Sequence, residues 1–315
     1  MYVFQLFNQM SKPLIKVLGS SGFIGKSLTD FLNKKSFQVE VLSLRTVNWR
    51  NYFETDAHTV VNLIGKAHDH RGVATEQEYY YSNFEIVKDV FEKFTSTKMN
   101  LFIHISSLAA LEEFESGKPL TEVDLCNPQS LYGKSKCVAE EWLMSQEIPT
   151  NKKLIILRPP MVHGPGDRGN LGLLYKLISK GIPYPLASFE NSRSFISIDN
   201  FCFFIEQIIK NQDKMESGIY HIADDEPVST SEIIQIIQNI TGRNTLNLSL
   251  PKFIVKAIAK VGDVIPIPLN SKRLKKMTSN LIVSNTKIKE ALGIEKLPLS
   301  AREGLEKTIR SFRDL

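Results

Sequence analysis

Tyr132 and Lys136 stand four residues apart in Tyr132-Gly133-Lys134-Ser135-Lys136. On a helix that spacing puts both side chains on one face, where they can meet one partner. A free phenol has a pKa near 10 and is a poor base at neutral pH, but an ammonium beside it favours the phenolate. The pair is therefore a candidate proton shuttle for an alcohol or sugar hydroxyl. Twenty-five residues upstream, Ser106-Ser107 closes the apolar run Leu101-Phe102-Ile103-His104-Ile105. A serine at a strand end is by default a cap or turn residue. At the carboxyl end of a central parallel strand it also lies where open α/β sheets place ligands, and there Ser107 would hydrogen-bond the substrate oxygen.

These side chains need a scaffold. The turn Asn127-Pro128 precedes Tyr132, and Cys137 to Met144 has helix composition. At the start of the chain, the strand Leu14–Leu18 runs directly into Gly19-Ser20-Ser21-Gly22-Phe23-Ile24-Gly25, with a helix expected over Ser27–Lys34. Strand, glycine turn and helix aim backbone N–H groups at a pyrophosphate, so Gly19, Gly22, Phe23, Ile24 and Gly25 are expected to bind a dinucleotide. The spacing is G-x-x-G-x-x-G. The next strand, Phe37–Leu42, ends at Ser43-Leu44-Arg45. A small residue followed by an arginine, in place of an acid, leaves room and charge for a 2′-phosphate, so Ser43 and Arg45 favour NADP(H) over NAD(H). Val60 to Ile64 reads as a buried strand opening through Gly65 into a loop, and Tyr79 to Phe94 as a long helix carrying Asn83. The aromatic segment between these strands, with Trp49, Tyr52 and Phe53, has no placement from sequence.

Composition narrows the class. The 315 residues carry a net charge of +5 with cations and acids interleaved, which argues against nucleic-acid binding. Cys126, Cys137 and Cys202 have no metal-ligand spacing and suit a reducing, cytoplasmic location. His68-Asp69-His70 lacks further clustered ligands, so no metal is expected. Residues 1–12 show no signal-peptide pattern, and Met10 is an alternative start of the folded part. Phe253 to Leu269 is interrupted by Lys256, Lys260, Asp263 and Pro266, which rules out a bilayer span. It reads as an amphipathic helix of the substrate part in preference to a membrane-surface helix.

The glycine turn, Ser106-Ser107 and Tyr132-x-x-x-Lys136 together resemble the extended short-chain dehydrogenase/reductase family, in its nucleotide-sugar epimerase and reductase branch. Asn62-Leu63-Ile64-Gly65, Tyr80-Tyr81-Ser82-Asn83 and Arg158-Pro159-Pro160-Met161-Val162-His163-Gly164-Pro165-Gly166 resemble its H-L-A-A, Y-x-x-N and R-P-x-x-V-Y-G-P-G segments. The resemblance implies a Rossmann-type doubly wound parallel α/β sheet with a smaller C-terminal α/β substrate-binding part. Residues 12–165, with 195–223 returning, would form the first, and 166–194 and 224–315 the second. It implies that Ser107 and Tyr132 bond the reacting oxygen while Lys136 bonds the nicotinamide ribose. Leu63, Gly65, Asn83, Ser106 and Pro159 would border the cofactor. Asn170, Arg193 and Arg273 would reach the substrate diphosphate. A homodimer is the common arrangement for such folds.

Ser107 is followed by Leu108-Ala109-Ala110, without the Asp-Glu pair of sugar dehydratases in this family. Arg158 to Gly166, with Ile182-Pro183-Tyr184-Pro185-Leu186 and Asn191-Ser192-Arg193-Ser194 after it, most resembles 4-ketoreductases of UDP-2-acetamido-2,6-dideoxy-hexuloses, and their relatives labelled UDP-glucose 4-epimerases, in bacterial surface polysaccharide pathways, and Ser43 with Arg45 favours the ketoreductase. The open alternatives are a UDP-glucose or UDP-GlcNAc 4-epimerase that retains NAD, and a non-catalytic dinucleotide-binding regulator.

Overall fold

The computed structural model describes residues 13–35, 37–53, 56–67, 73–167, 169–184, 186, 188–243, 250–265 and 270–314. Residues 1–12 and His68-Asp69-His70 lie outside them, as does Pro266–Leu269 at the end of the late apolar stretch.

Short apolar runs separated by amphipathic helices build alternating units. In chain order the elements through the first half are β1 (Leu14–Leu18), α1 (Phe23–Asn33), β2 (Gln38–Leu42), β3 (Thr59–Asn62), α2 (Glu76–Tyr80), α3 (Ile86–Thr95), β4 (Leu101–Ile105), α4 (Leu131–Met144) and β5 (Lys153–Arg158). There follow β6 (Met161–His163), α5 (Asn170–Ser179), β7 (Phe195–Ser197), α6 (Ile198–Lys210), β8 (Gly218–His221), α7 (Thr230–Thr241), α8 (Lys252–Val261), α9 (Ser271–Thr278), α10 (Thr286–Leu292) and α11 (Ala301–Ser311).

Six strands pair in the order β2-β1-β3-β4-β5-β8, every pair parallel. The central strands β3 and β4 are buried along their whole length, as a parallel sheet covered on both faces requires. One face is filled by α1, α6 and α10, the other by α3, Trp49, Phe53 and Leu143. This is the Rossmann-type doubly wound sheet that the sequence implies. The aromatic segment after β2 forms a short 3₁₀ helix, Trp49–Tyr52, held by Lys16 Nζ donating to the Tyr52 carbonyl at 2.8 Å. Chain order reverses between β1 and β3, so the crevice of such a sheet opens above their carboxyl ends.

A second core gathers α5, α7, α8, α9 and α11 around Phe195 of β7. One part of the late chain departs from the expected division. Ile288 and Leu292 of α10, with Leu297, are buried in the core of the six-stranded sheet, because their four-residue spacing forms a stripe facing that core. The strip 280–284 laces the two cores together: Ser116 N–H donates to the Asn280 carbonyl, Leu120 N–H to Ile282, and Ser194 N–H to Leu281.

Candidate active site

The glycine turn sits at the crevice. α1 begins at Phe23, not Ser27, because Gly22 caps it in an extended conformation (φ −74°, ψ 171°), and Gly25 is accepted inside the helix because no larger residue fits there. No side chain caps that terminus and no acid lies in its first turn, so the leading N–H groups remain available to an anion. Gly19 has φ +80°, and a Cβ there would fall 2.9 Å from the Leu63 carbonyl carbon. A Cβ on Gly25 would fall 2.3 Å from the Gly19 carbonyl oxygen. An added Cβ on Gly22, by contrast, meets only that oxygen, at 3.6 Å. A tight turn with an open outer side and an uncapped helix terminus fits a pyrophosphate. Ser43 and Arg45 are exposed at the end of β2, where the Arg45 N–H donates to Ser43 Oγ at 3.4 Å.

The loop after β3 closes over the catalytic candidates. An added Cβ on Gly65 would come within 2.9 Å of Asn83 Oδ1 and 3.1 Å of Lys136 Nζ. Asn83 itself is fully buried in a π-helical turn, Tyr81–Glu85, that interrupts the expected long helix between α2 and α3. Its amide accepts from Lys66 N–H at 2.7 Å and donates to the Lys66 carbonyl at 3.1 Å and to Ser135 Oγ at 2.9 Å. Asn83 is thus a brace that ties the loop to α4.

The three residues that sequence singles out for catalysis come together at the end of β4. Ser107 Oγ accepts the Ala109 N–H at 3.1 Å, and its hydroxyl lies close enough to the Tyr132 phenol to favour the ionised form. Burial pushes the phenol above its ordinary pKa of 10, the bond from Ser107 opposes this, and the nearby Glu113 and Glu140 carboxylates add to the rise. Lys136 is 3% exposed and donates from Nζ to the Ile105 carbonyl at 2.9 Å. Burial lowers its pKa to about 8, against the pull of Glu140. The four-residue spacing to Lys136 leads one to expect an ammonium that draws the tyrosine down; instead burial sets the direction, which is upward. At neutral pH Tyr132 holds its proton.

Support beneath these residues was less legible. Glu140 lies four residues beyond Lys136 on α4 and is buried with Arg158, whose Nε donates to it at 3.0 Å and Nη2 at 2.6 Å. Ser106, expected near the cofactor, turns its hydroxyl into this pair and donates to Glu140. Its backbone N–H donates to the Leu157 carbonyl, and the Leu108 N–H to the Pro159 carbonyl, each at 2.8 Å. Pro159 therefore borders the turn that carries Ser107. Gly133, between Tyr132 and Lys136, has no room for a side chain: a Cβ would lie 2.4 Å from the Ala109 carbonyl oxygen and 2.9 Å from Glu113 Oε1. Glu113 is buried, accepts from the Ser130 hydroxyl that caps α4, and leaves Oε2 without a partner. The four-residue step from Lys136 to Glu140 was the available signal for that acid; Glu113 had none.

The expected diphosphate residues occupy the second core's side. Arg193 donates from Nη1 to the Phe114 and Ser279 carbonyls at 3.1 and 3.2 Å, and burial lowers its pKa to about 10. Asn170 is exposed in the first turn of α5, after Gly164, whose added Cβ would touch Phe23 of α1 at 3.3 Å. Arg273 is exposed on α9.

A parallel sheet with its reversal point at a glycine turn, and a Ser-Tyr-Lys set at the next strand end, defines a Rossmann-type enzyme scaffold of dinucleotide chemistry. The model of the NAD dependent epimerase/dehydratase family matches residues 15–223, and the chain belongs to that family. It is 28% identical to the UDP-glucose 4-epimerase of Vibrio cholerae, covering 96% of each protein. It is 23% identical to N-acetyl-alpha-D-glucosaminyl-diphospho-ditrans,octacis-undecaprenol 4-epimerase of Escherichia coli O157:H7, over 94% of each. Among solved structures, UDP-glucuronic acid 4-epimerase from Bacillus cereus in complex with NAD aligns with a TM-score of 0.72 at 20% identity, over 96% of this chain and 99% of that one. RMD from Pseudomonas aeruginosa complexed with NADPH aligns at 0.73 and 16% identity, over 96% and 100%. These two likenesses establish the fold.

Proposed function

We propose that the protein inverts the configuration at C4 of a UDP-sugar while retaining a nicotinamide dinucleotide. The observation that carries this reading is that Ser107, Tyr132 and the buried Lys136 ammonium gather at the end of β4, in a sheet whose glycine turn leads into an uncapped α1 terminus. Gly19, Gly22, Phe23, Ile24 and Gly25 would hold the dinucleotide's pyrophosphate. Leu63 and Gly65 on one side and Pro159 on the other would border its nicotinamide end. When bound, the dinucleotide supplies hydride-transfer chemistry. With the oxidised dinucleotide bound, its positive nicotinamide would favour the Tyr132 phenolate against the effect of burial, and the phenolate would then accept the proton of the C4 hydroxyl as that oxygen becomes a carbonyl and return it when the alcohol reforms. Ser107 keeps a hydrogen bond on the same oxygen, and Lys136 keeps positive charge beside it. Asn170, Arg193 and Arg273 would meet the diphosphate.

The relatives from Vibrio cholerae and Escherichia coli both carry 4-epimerase names, which supports epimerisation over the reductive reading. The exposed, acid-free end of β2 at Ser43 and Arg45 favours the second reading, reduction of a UDP-4-keto-6-deoxy-N-acetylhexosamine by exchanging NADPH. Purified protein decides between them. Retained NAD surviving gel filtration, with C4 inversion of UDP-glucose or UDP-GlcNAc seen by NMR, is the expected result. Cofactor-free protein that consumes NADPH only with a 4-keto sugar overturns it in favour of the reductase. Tyr132→Phe should lose turnover by about 10³-fold or more while keeping dinucleotide affinity. Retained turnover in that variant would remove the catalytic assignment.

A further inference from the structure

Helix α8 is oriented against expectation. Its rows at four-residue spacing separate cleanly: Val255 and Ala259 are buried in the second core, whereas Phe253, Ala257 and Val261, with Ile254 and Ile258 beside them, face solvent. Phe253 is 73% exposed and Val261 51%, and beyond the helix Val264 is 87% exposed. The wider apolar arc of this amphipathic helix therefore has no covering element among the described residues. A third row, Lys252, Lys256 and Lys260, runs along one edge of that arc.

The charge carried by α8 and α9 themselves is one-sided, although at the α9 end Lys275 pairs with Glu115 at 2.9 Å. α9 is fastened to the end of α8, since Asp263 accepts from the Ser271 N–H at 2.9 Å and from its hydroxyl at 2.6 Å. Over residues 251–278 there are seven cations, Lys252, Lys256, Lys260, Lys272, Arg273, Lys275 and Lys276, against Asp263 alone, a net +6. The whole chain carries +5, so the remainder carries −1. The chain's entire positive excess lies on this one platform.

We propose that the α8–α9 platform is a docking surface for an anionic phospholipid bilayer, held by the apolar arc of α8 and its flanking lysines. An exposed aliphatic and aromatic face bordered by lysines is the composition that seats a helix in the headgroup region. Protein interface cores, in contrast, are depleted in lysine. Each lysine near an anionic surface strengthens partition about fivefold. This is peripheral docking, since no helix among the described residues is long and apolar enough to cross a membrane. Lys272 and Lys275 line a cleft of about 500 Å³ with Glu112, Phe114, Glu115 and Asn127, just ahead of the Ser130 cap of α4.

The test is sedimentation of the full-length protein with vesicles of phosphatidylcholine, with and without phosphatidylglycerol. The protein should pellet with the phosphatidylglycerol vesicles and be released by salt, and it should remain in solution with phosphatidylcholine alone. Phe253→Asp with Ile258→Asp should weaken pelleting at least tenfold, and Lys256→Gln with Lys260→Gln about twenty-five-fold. Phe253→Trp should show a blue-shifted emission on vesicles, a readout that does not rely on a tolerated aspartate. Failure to bind phosphatidylglycerol vesicles overturns the proposal. So does binding that these substitutions leave unchanged, or their dissociating a dimer in light scattering without affecting vesicle binding, which would assign the face to a second copy.

Discussion

Replacing Lys136 by methionine should stabilise the protein while disabling it. The lysine is buried, and its pKa falls from 10.5 to about 8. At about 1.4 kcal/mol per unit, holding it charged at neutral pH costs about 3 kcal/mol relative to a neutral side chain of the same shape. Methionine keeps the shape and removes the charge. It also forfeits the Nζ bond to the Ile105 carbonyl, worth about 1–2 kcal/mol. The net gain is about 1–2 kcal/mol, or about 2–3 °C in the melting temperature for a chain of this length.

The pH dependence follows from the depressed value. Below about pH 8 the folded lysine is charged and the wild type carries the whole penalty. Between about 8 and 10.5 the folded state releases its proton while the unfolded chain keeps it, so the wild type gains stability as pH rises. The advantage of Lys136→Met should therefore be full at neutral pH, shrink through that window and turn into a small deficit above it. Thermal melts of cofactor-stripped protein across the range measure this directly, and turnover should fall by about 10³-fold in the same variant. A variant that melts below the wild type at neutral pH, or a difference that does not change with pH, would refute the reasoning.

Other substitutions probe the surrounding framework. Glu140→Gln leaves the Arg158 guanidinium without its buried carboxylate and should cost about 3–5 kcal/mol, read from denaturant midpoints. Gly133→Ala places a methyl group against the Ala109 carbonyl, a backbone atom that cannot step aside, and should destabilise by about 1–3 kcal/mol. Turnover should fall further than stability alone explains, because the clash moves Tyr132 away from Ser107. Asn83→Ala removes three hydrogen bonds that hold the Lys66 backbone and Ser135, at about 2–3 kcal/mol, and dinucleotide affinity by titration should weaken with it.

The sheet and its ligand-binding edge were legible because they depend on local patterns: apolar strand runs, glycines where a Cβ has no room, and hydroxyls at a strand end. The start of α1 was set four residues late because the helix uses Gly22 as its cap, without the side-chain signal that usually marks one. At Asn83 the sequence suggested a helix residue near a ligand. The structure instead uses a π-helical turn, which a period of 3.6 residues does not announce. The exposure of Phe253 and Ile258 was likewise hidden, because an amphipathic pattern shows that two faces differ without showing which one meets the core.

The buried charges beneath Tyr132 follow from the same geometry. Lys136 can sit under the Gly65 loop only if its charge is balanced nearby, and Glu140, one helical turn along, supplies that balance. A lone carboxylate at that depth would be costly, so Arg158 at the end of β5 holds it with paired hydrogen bonds. Ser106 donates to that same carboxylate and draws the end of β4 against it, which sets the direction in which Ser107 leaves the strand. Of the adjacent serines, one is spent on the buried pair and the other faces the phenol. Removing Glu140 should therefore alter the Ser107–Tyr132 contact as well as stability. A pH–rate profile of Glu140→Gln that shifts beyond what added guanidine-sensitive unfolding explains would distinguish this positioning role from a purely structural one.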